Sequence, residues 1–410
     1  MKTFILVTDS YPYDGAREHT FLDPEVNILS SLCDLHIIPA TNQGNFCANF
    51  QNVRVVENFS LNNNWFKLLF YSALCFFQKE LWLAISFFIL RQVRFKYVLQ
   101  VIAYYYKACI FRDFLDDYIR LNKLKHVIVC SFWFSHYSFG AGMLKLNVPD
   151  LTVVTRAHGY DLYEERWDSL KIPFRRQAIS FIDAIFPDSE AGLQYLGLKY
   201  PQYSTKFHVG RLGIASRNIV TQSSSDGVIR IVSCAYLVPV KRIDLLARAL
   251  GVLSRRYPSQ SVFWTHFGDG PERPLVESII SEIKSPKIRC IIVGEVSNND
   301  VFTHYANNPV DFFINVSSSE GTPVSVIEAI SCSIPCIVTA VGGNVEVVDN
   351  SSGVILKVNF SENQLVDEII KAFNDRNLYS IMKNLSFLKW KKFYSAENNY
   401  KKFYDFVHSI

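Results

Sequence analysis

Residues 311–339 read DFFINVSSSEGTPVSVIEAISCSIPCIVT. Asp311–Asn315 is a short apolar run bounded by polar residues, which predicts a strand covered on both faces. Thr322 is placed as the N-cap of a helix over Pro323–Ser331. Pro323 would be its first residue, where a missing N–H costs nothing. Pro335–Thr339 is the next strand. Strand, helix and strand joined by short connections make a unit whose two strands run parallel.

The same rhythm runs upstream. Val228–Cys234, Ser261–Phe267 and Ile288–Val293 read as strands, and Ile243–Arg256, Pro271–Ile283 and Asn299–Tyr305 as helices. Helical stretches at Ser361–Phe373 and about 397–408 close the chain. Before this block, Ile214–Gly227 (IASRNIVTQSSSDG) is polar and Ser-rich, without periodicity, and reads as a linker. Further upstream a second set begins: strand Thr3–Thr8, a turn-rich loop to Gly15, helix Phe21–Leu32 and strand Asp34–Pro39. Strands follow at His126–Cys130, Leu151–Thr155 and Ile185–Pro187. The chain is therefore α/β, with Rossmann-like domains over 1–213 and 228–390, a linker at 214–227 and a last helix within 391–410.

Composition narrows the function. Of 410 residues, 49% are hydrophobic and 20% charged, a globular balance, and the net charge of +4 is too small to point to nucleic acid. Nine cysteines include no C-x-x-C pair, which suggests free thiols in a reducing compartment. Met1 leads straight into strand-like sequence, unlike a secretory signal. No run of about twenty apolar residues offers a spanning helix.

Trp65–Tyr106 stands apart. Fourteen of its 42 residues are aromatic, in two or three helical stretches, and residues 91–125 carry eight Lys or Arg against three Asp. A greasy helical core would explain the aromatics. Aromatic helices beside a cationic stretch also suit an anionic bilayer surface, which is the reading adopted.

Three places carry chemistry. At the start of the Pro323 helix the amides of Val324 and Ser325 would point outward, and a helix N-terminus binds phosphate. Glu320 before it and Glu328 within it are acceptors for sugar hydroxyls. Lys241 and Arg242, in VPVKRID, follow the first strand of the second domain, where strand ends border the ligand crevice. His158, in TRAHGYD, sits in a glycine-containing loop at a strand end and is a catalytic candidate. GDGPER at Gly268 is only a fragment of a dinucleotide fingerprint. There is no Asp-x-Asp pair and the His and Cys are scattered, so no metal site is expected.

The segment EGTPVSVIEAISCSIPCIVTAVGGNVEVV, Glu320–Val348, resembles the retaining GT-B glycosyltransferases of glycosyltransferase family 4, the group 1 glycosyl transferases. Glu320 and Glu328 fit that family's two glutamates with seven residues between, followed by Pro335, Gly342, Gly343 and Glu346. RAHGYDLYEE, FPDSEAG and VGRLGI are similar to the family too. The resemblance implies two Rossmann-like domains whose parallel sheets face across a cleft, with the last helix crossing back to the first domain. It implies that Glu328 holds the nucleotide ribose. Glu320, Thr322, Pro323, Val324 and Ser325 would hold the donor hexose, and Lys241 with Arg242 the diphosphate. His158 would lie near the anomeric carbon, Gly294 near the base and Glu346 would brace the Gly-Gly loop. Two departures stand out: Ala235-Tyr236-Leu237 replaces the usual Gly-Arg-Leu, leaving Arg242 to stand in for the missing arginine, and only Gly15 remains of a glycine-rich first loop.

The expectation is metal-independent, retaining hexosyl transfer from a UDP- or GDP-sugar, with no cofactor. The acceptor would be a lipid-linked saccharide in bacterial surface polysaccharide biosynthesis, such as lipopolysaccharide or capsule. The enzyme would be cytoplasmic, peripheral on the inner face of the membrane. The alternatives are a sugar-nucleotide epimerase of the same fold and a non-catalytic membrane-bound partner subunit.

Overall fold

The computed structural model of the chain describes residues 2–13, 18–42, 44–46, 52–57, 59, 65–90, 92–167 and 171–410. It forms two units, Met1–Leu212 with Asn399–Ile410, and Gly213–Asn398. Each holds a six-stranded sheet in which every strand pairing is parallel.

The first sheet comprises β1 (Thr3–Thr8), β2 (Asp34–Pro39), β3 (Val53–Val55), β4 (Val127–Ser131), β5 (Thr152–Ala157) and β6 (Ala184–Pro187), in the order β3-β2-β1-β4-β5-β6. The second comprises β7 (Ile229–Cys234), β8 (Val262–Phe267), β9 (Ile288–Gly294), β10 (Phe312–Asn315), β11 (Cys336–Thr339) and β12 (Gly353–Leu356), in the order β12-β11-β10-β7-β8-β9. Both orders reverse once, between β1 and β4 and between β7 and β10. Ligands of such sheets bind beyond the strand C-termini at that reversal. The unbroken apolar runs expected of strands covered on both faces are seen in β1 and β4, where every residue is buried.

Four helices of the first unit matter below: α1 (His19–Leu32), α2 (Trp65–Cys75), α3 (Lys79–Ile89) and α4 (Phe95–Leu121). α4 packs Tyr104, Tyr105 and Phe111 into the core, yet Phe66, Phe70, Phe77, Trp82 and Ile89, in and between α2 and α3, are more than half exposed. The aromatic stretch therefore divides between core and surface. Among the described residues no single helix is long and apolar enough to cross a membrane. One bent pair, Phe66–Cys75 with Lys79–Ile89 at 76°, has the length and composition when taken together.

The stretch read as a linker, 214–227, is instead strapped to the second unit. Ile214 N donates to Tyr394 O at 2.8 Å, Thr221 N to Cys332 O at 3.0 Å and Ser224 Oγ to Asp311 at 2.7 Å. It lacks periodicity because its hydrogen bonds go to neighbouring elements one at a time, not to a helix or a ladder. The second unit runs accordingly from 213 to 398, wider than 228–390.

The last helix, Ala396–Ser409, belongs to the first unit from Asn399 onward. Arg156 of β5 anchors it. Its guanidinium bonds Glu25 of α1 at 2.6 Å, with both side chains buried, and lies 4.1 Å from the Phe403 ring centre. Removing one partner would leave a buried charge, at a cost of about 3–5 kcal/mol. The eight described cysteines are all unpaired and six are buried.

Candidate functional site

In the second unit Lys241, after β7, and Glu320, after β10, meet at the sheet reversal, with Lys241 Nζ to Glu320 Oε1 at 2.6 Å. The same oxygen accepts from Ser317 Oγ at 2.6 Å and Asn315 Nδ2 at 3.0 Å. Asn344 Nδ2 donates in turn to Thr339 O at 3.1 Å and reaches Asn315 Oδ1 at 3.4 Å. Glu320 is thus fixed by a chain of amides and by one cation. Gly342 is needed behind it. Its φ is +44°, and a Cβ there would fall 2.0 Å from Glu320 O.

The helix after Glu320 spans Val324–Ser331, with Pro323 as its N-cap, one residue later than expected. Pro323 O accepts from the amides of Val326 and Ile327, so the two amides before them, those of Val324 and Ser325, lie among a helix's first, internally unpaired donors. The Thr322 hydroxyl is buried without a partner at this end. Two donors and the positive end of the dipole are what a phosphate needs.

Glu328, five residues inside the helix, is 4% exposed. Burial raises its pKa from 4.5 to about 7, although the Asn298 hydrogen bond and the charge of Arg217 pull the other way. Asn298 Nδ2 donates to Oε1 at 2.6 Å. Asn298 opens a helix, Asn298–Asn307, four residues after Gly294, which ends β9. Gly294 O accepts from Gly268 N at 2.8 Å. Cys234, ending β7, has its thiol raised to about 12 by burial and then by Glu328, against the opposing charge of Lys241.

Arg242 departs from expectation. Its guanidinium donates to three backbone carbonyls, Val316 at 2.7 Å, Val358 at 2.8 Å and Ser317 at 3.3 Å. With its donors given to the loop after β10, it braces that loop and does not replace the arginine absent at Tyr236. The GDG fragment also has a different use. At Gly268, with φ +131°, a Cβ would meet Ala235 O at 1.9 Å, so the glycine lets the loop after β8 lie against the loop after β7.

In the first unit His158 follows β5 and is 8% exposed. Its Nδ1 lies 3.4 Å from Asp188 Oδ2, just after β6, while its Nε2 is buried without a partner. Burial opposes charge on the ring, but the hydrogen bond and charge of Asp188 outweigh it and raise the pKa above 6.5. The ring packs 4.5 Å from Phe132 and 5.0 Å from Trp133. Its backbone N–H donates to Asp161 at 2.6 Å. A carboxylate holds one nitrogen and leaves the other free, which is how an imidazole is oriented for work on a substrate.

Gly15 lies outside the described residues. The loop that precedes it is organised by Glu18, buried at 3% exposure. Glu18 accepts from the backbone N–H groups of Asp9, Ser10 and Tyr11 at 3.0 Å each and from Trp133 Nε1 at 2.6 Å. A side-chain carboxylate here does what a glycine-rich turn does elsewhere, by collecting consecutive amides. Reading the sequence did not single out Glu18, Asp188, Asn298, Asn315 or Asn344. Their shared signal is position: Asn315 ends a strand, and Asp188 and Asn344 follow closely after one.

Residues 217–386 match the family described as glycosyl transferases group 1. The human phosphatidylinositol N-acetylglucosaminyltransferase protein is 30% identical over 120 residues, 29% of this chain and 24% of that protein. Alpha-monoglucosyldiacylglycerol synthase of Acholeplasma laidlawii is 30% identical over 104 residues, 25% of each. The chain thus spans about a quarter of the length of these curated relatives. The crystal structure of Anabaena Alr3699/HepE in complex with UDP superposes with a TM-score of 0.68 at 13% identity, covering 100% of both chains. Through residues 217–386, carried on two six-stranded parallel sheets of the GT-B type, the chain belongs to the group 1 glycosyl transferases.

Proposed function

We propose that the protein transfers a hexosyl unit, with retention and without a metal, from a UDP- or GDP-sugar to a lipid-linked saccharide at an anionic membrane surface. The observation that carries the donor half is the meeting of Lys241 and Glu320 at the β7/β10 reversal, beside an open helix N-terminus. Lys241 has the charge for a departing diphosphate, and the amides of Val324 and Ser325 have the geometry for its oxygens. Glu320, acceptor-only and rigidly held, suits hydroxyls of the donor hexose. Glu328, with Asn298, suits the ribose diol. Gly294, at the end of β9, is the proposed neighbour of the base. His158, fixed by Asp188, is the proposed partner of the charge that develops at the anomeric carbon.

Lipid on the acceptor side is supported by the exposed aromatics of α2 and α3, among the exposed cations Lys67, Lys79, Arg94 and Lys96. Two curated relatives also carry a lipid in their names. Incubation with UDP- and GDP-hexoses and a bacterial lipid extract tests the reading. Release of nucleoside diphosphate should depend on the extract and persist in excess chelator. Release that stops with chelator and returns with Mg²⁺ or Mn²⁺ would overturn the metal-free mechanism. A sugar altered without acceptor would make the protein an epimerase.

A further inference from the structure

The first unit has its own sheet reversal, between β1 and β4, and a cavity of about 850 Å³ opens there. That is the size of a small-molecule site. Its walls are largely aromatic and include Tyr104, Trp133 and the stacked pair Tyr160 and Trp167, whose ring centres are 5.4 Å apart. Three polar groups face this lining without partners. The Lys107 ammonium and the Asp9 carboxylate make no hydrogen bond or ion pair among the described residues, and His136 Nε2 is buried with no hydrogen bond. His136 stays neutral, since burial and then Lys107 lower its pKa to about 3. A cation, a neutral imidazole and a carboxylate among aromatics can take an anion and neighbouring hydroxyls together.

The cavity does not end at the sheet. Phe95, Leu99, Ala103 and Lys107 recur every four residues along α4 and form one ridge. Phe95 and Leu99 are about half exposed, whereas Ala103 and Lys107 line the cavity. Phe95 also touches Phe88 of α3, with ring centres 5.4 Å apart. The apolar surface of α3 and α4 therefore runs along one helix face to the cation in the cavity. At the inner end Trp133, a wall of the cavity, packs against His158.

We infer that this cavity takes the head of a phosphate-bearing glycolipid, with Lys107 on the phosphate, a sugar ring on the aromatic wall and the lipid along the Phe95–Leu99 ridge. This rests on the proposed transfer to a lipid-linked acceptor and names the chemistry that the acceptor must have. The Asp9 carboxylate would accept from a sugar hydroxyl, and His136 Nε2 would complete the polar lining.

Tryptophan fluorescence titration with farnesyl phosphate below its aggregation concentration tests the site, with farnesol and inorganic phosphate as the other arms. Farnesyl phosphate should bind at least tenfold more tightly than either. Lys107→Met should weaken it at least tenfold, Lys107→Arg should restore most of the affinity, and Leu99→Asp should weaken farnesyl phosphate and farnesol alike. Equal affinity in Lys107→Met, or inorganic phosphate binding as well as the lipid phosphate, would overturn the assignment. Nucleoside diphosphate affinity, measured on the same samples, should be unchanged by Lys107→Met. Failure of the unaltered protein to bind nucleoside diphosphate would defeat the donor-site reading and leave the lipid titration to be judged separately.

Discussion

Glu328→Gln should make the protein more stable and a worse nucleotide binder at once. The carboxyl is buried, with a pKa raised from 4.5 to about 7. The folded protein therefore keeps a proton that the unfolded chain has lost. Its stabilising contribution is complete below pH 4.5 and is lost as the pH rises through about 7. Across that span, at ~1.4 kcal/mol per pH unit, the ionised carboxylate costs about 3 kcal/mol by pH 8. A glutamine keeps the shape and an oxygen for Asn298 Nδ2, and carries no charge to bury.

Urea unfolding should then show the variant near parity at pH 5 and more stable at pH 8, by up to about 3 kcal/mol. Calorimetry at pH 8 should show the opposite for nucleoside diphosphate. Hydrogen bonds from ribose hydroxyls to a charged acceptor contribute about 1.5–3 kcal/mol, so affinity should fall roughly ten- to a hundredfold. In the unaltered protein, affinity should fall about tenfold per pH unit below the Glu328 pKa, because the ionised form is the better acceptor. A variant that is destabilised at pH 8 would show the carboxylate to be a structural ion. A stabilised variant with full affinity would show that Glu328 does not touch the nucleotide.

Two other outcomes follow from the first unit. His158→Ala should leave nucleoside diphosphate affinity nearly intact and lower turnover at least tenfold, about 1.4 kcal/mol of barrier. Asp188→Asn should move the imidazole-dependent limb of the rate–pH profile to lower pH, since Asp188 raises the His158 pKa; an unmoved profile would separate the two residues. In flotation at low salt, the protein should rise with anionic vesicles and less with neutral ones, with each nearby Lys or Arg worth about 1 kcal/mol. Phe77→Asp with Trp82→Asp should abolish it, and equal recovery with both vesicle types would refute the electrostatic part.

The βα rhythm was legible because strands covered on both faces and amphipathic helices leave unlike traces in sequence. Glu320, Glu328 and Lys241 were legible for a related reason, since each lies on or near a strand end or helix start that those traces locate. Arg242 was not, because its neighbour Lys241 has the same sequence context. Only the αL backbone at 242, φ 51°, sends the side chain toward Val316 and Val358. The aromatic stretch 65–106 was ambiguous because its helices are apolar on most faces, so periodicity could not say which aromatics the core takes. Glu18 and Asp188 stayed hidden because their partners, at Trp133 and His158, are 115 and 30 residues away. The segment 214–227 looked like a linker because bonds made one at a time to distant residues leave no pattern.

Calorimetric titration of UDP and GDP in excess chelator, into the unaltered protein, Lys241→Met and Glu328→Ala, tests the central claim most directly. One of the two nucleotides should bind without metal, and each substitution should weaken it at least tenfold, about 1.4 kcal/mol. No binding of either nucleotide by the unaltered protein, or binding that both variants keep in full, would contradict the donor site assigned to the end of β7 and the helix Val324–Ser331.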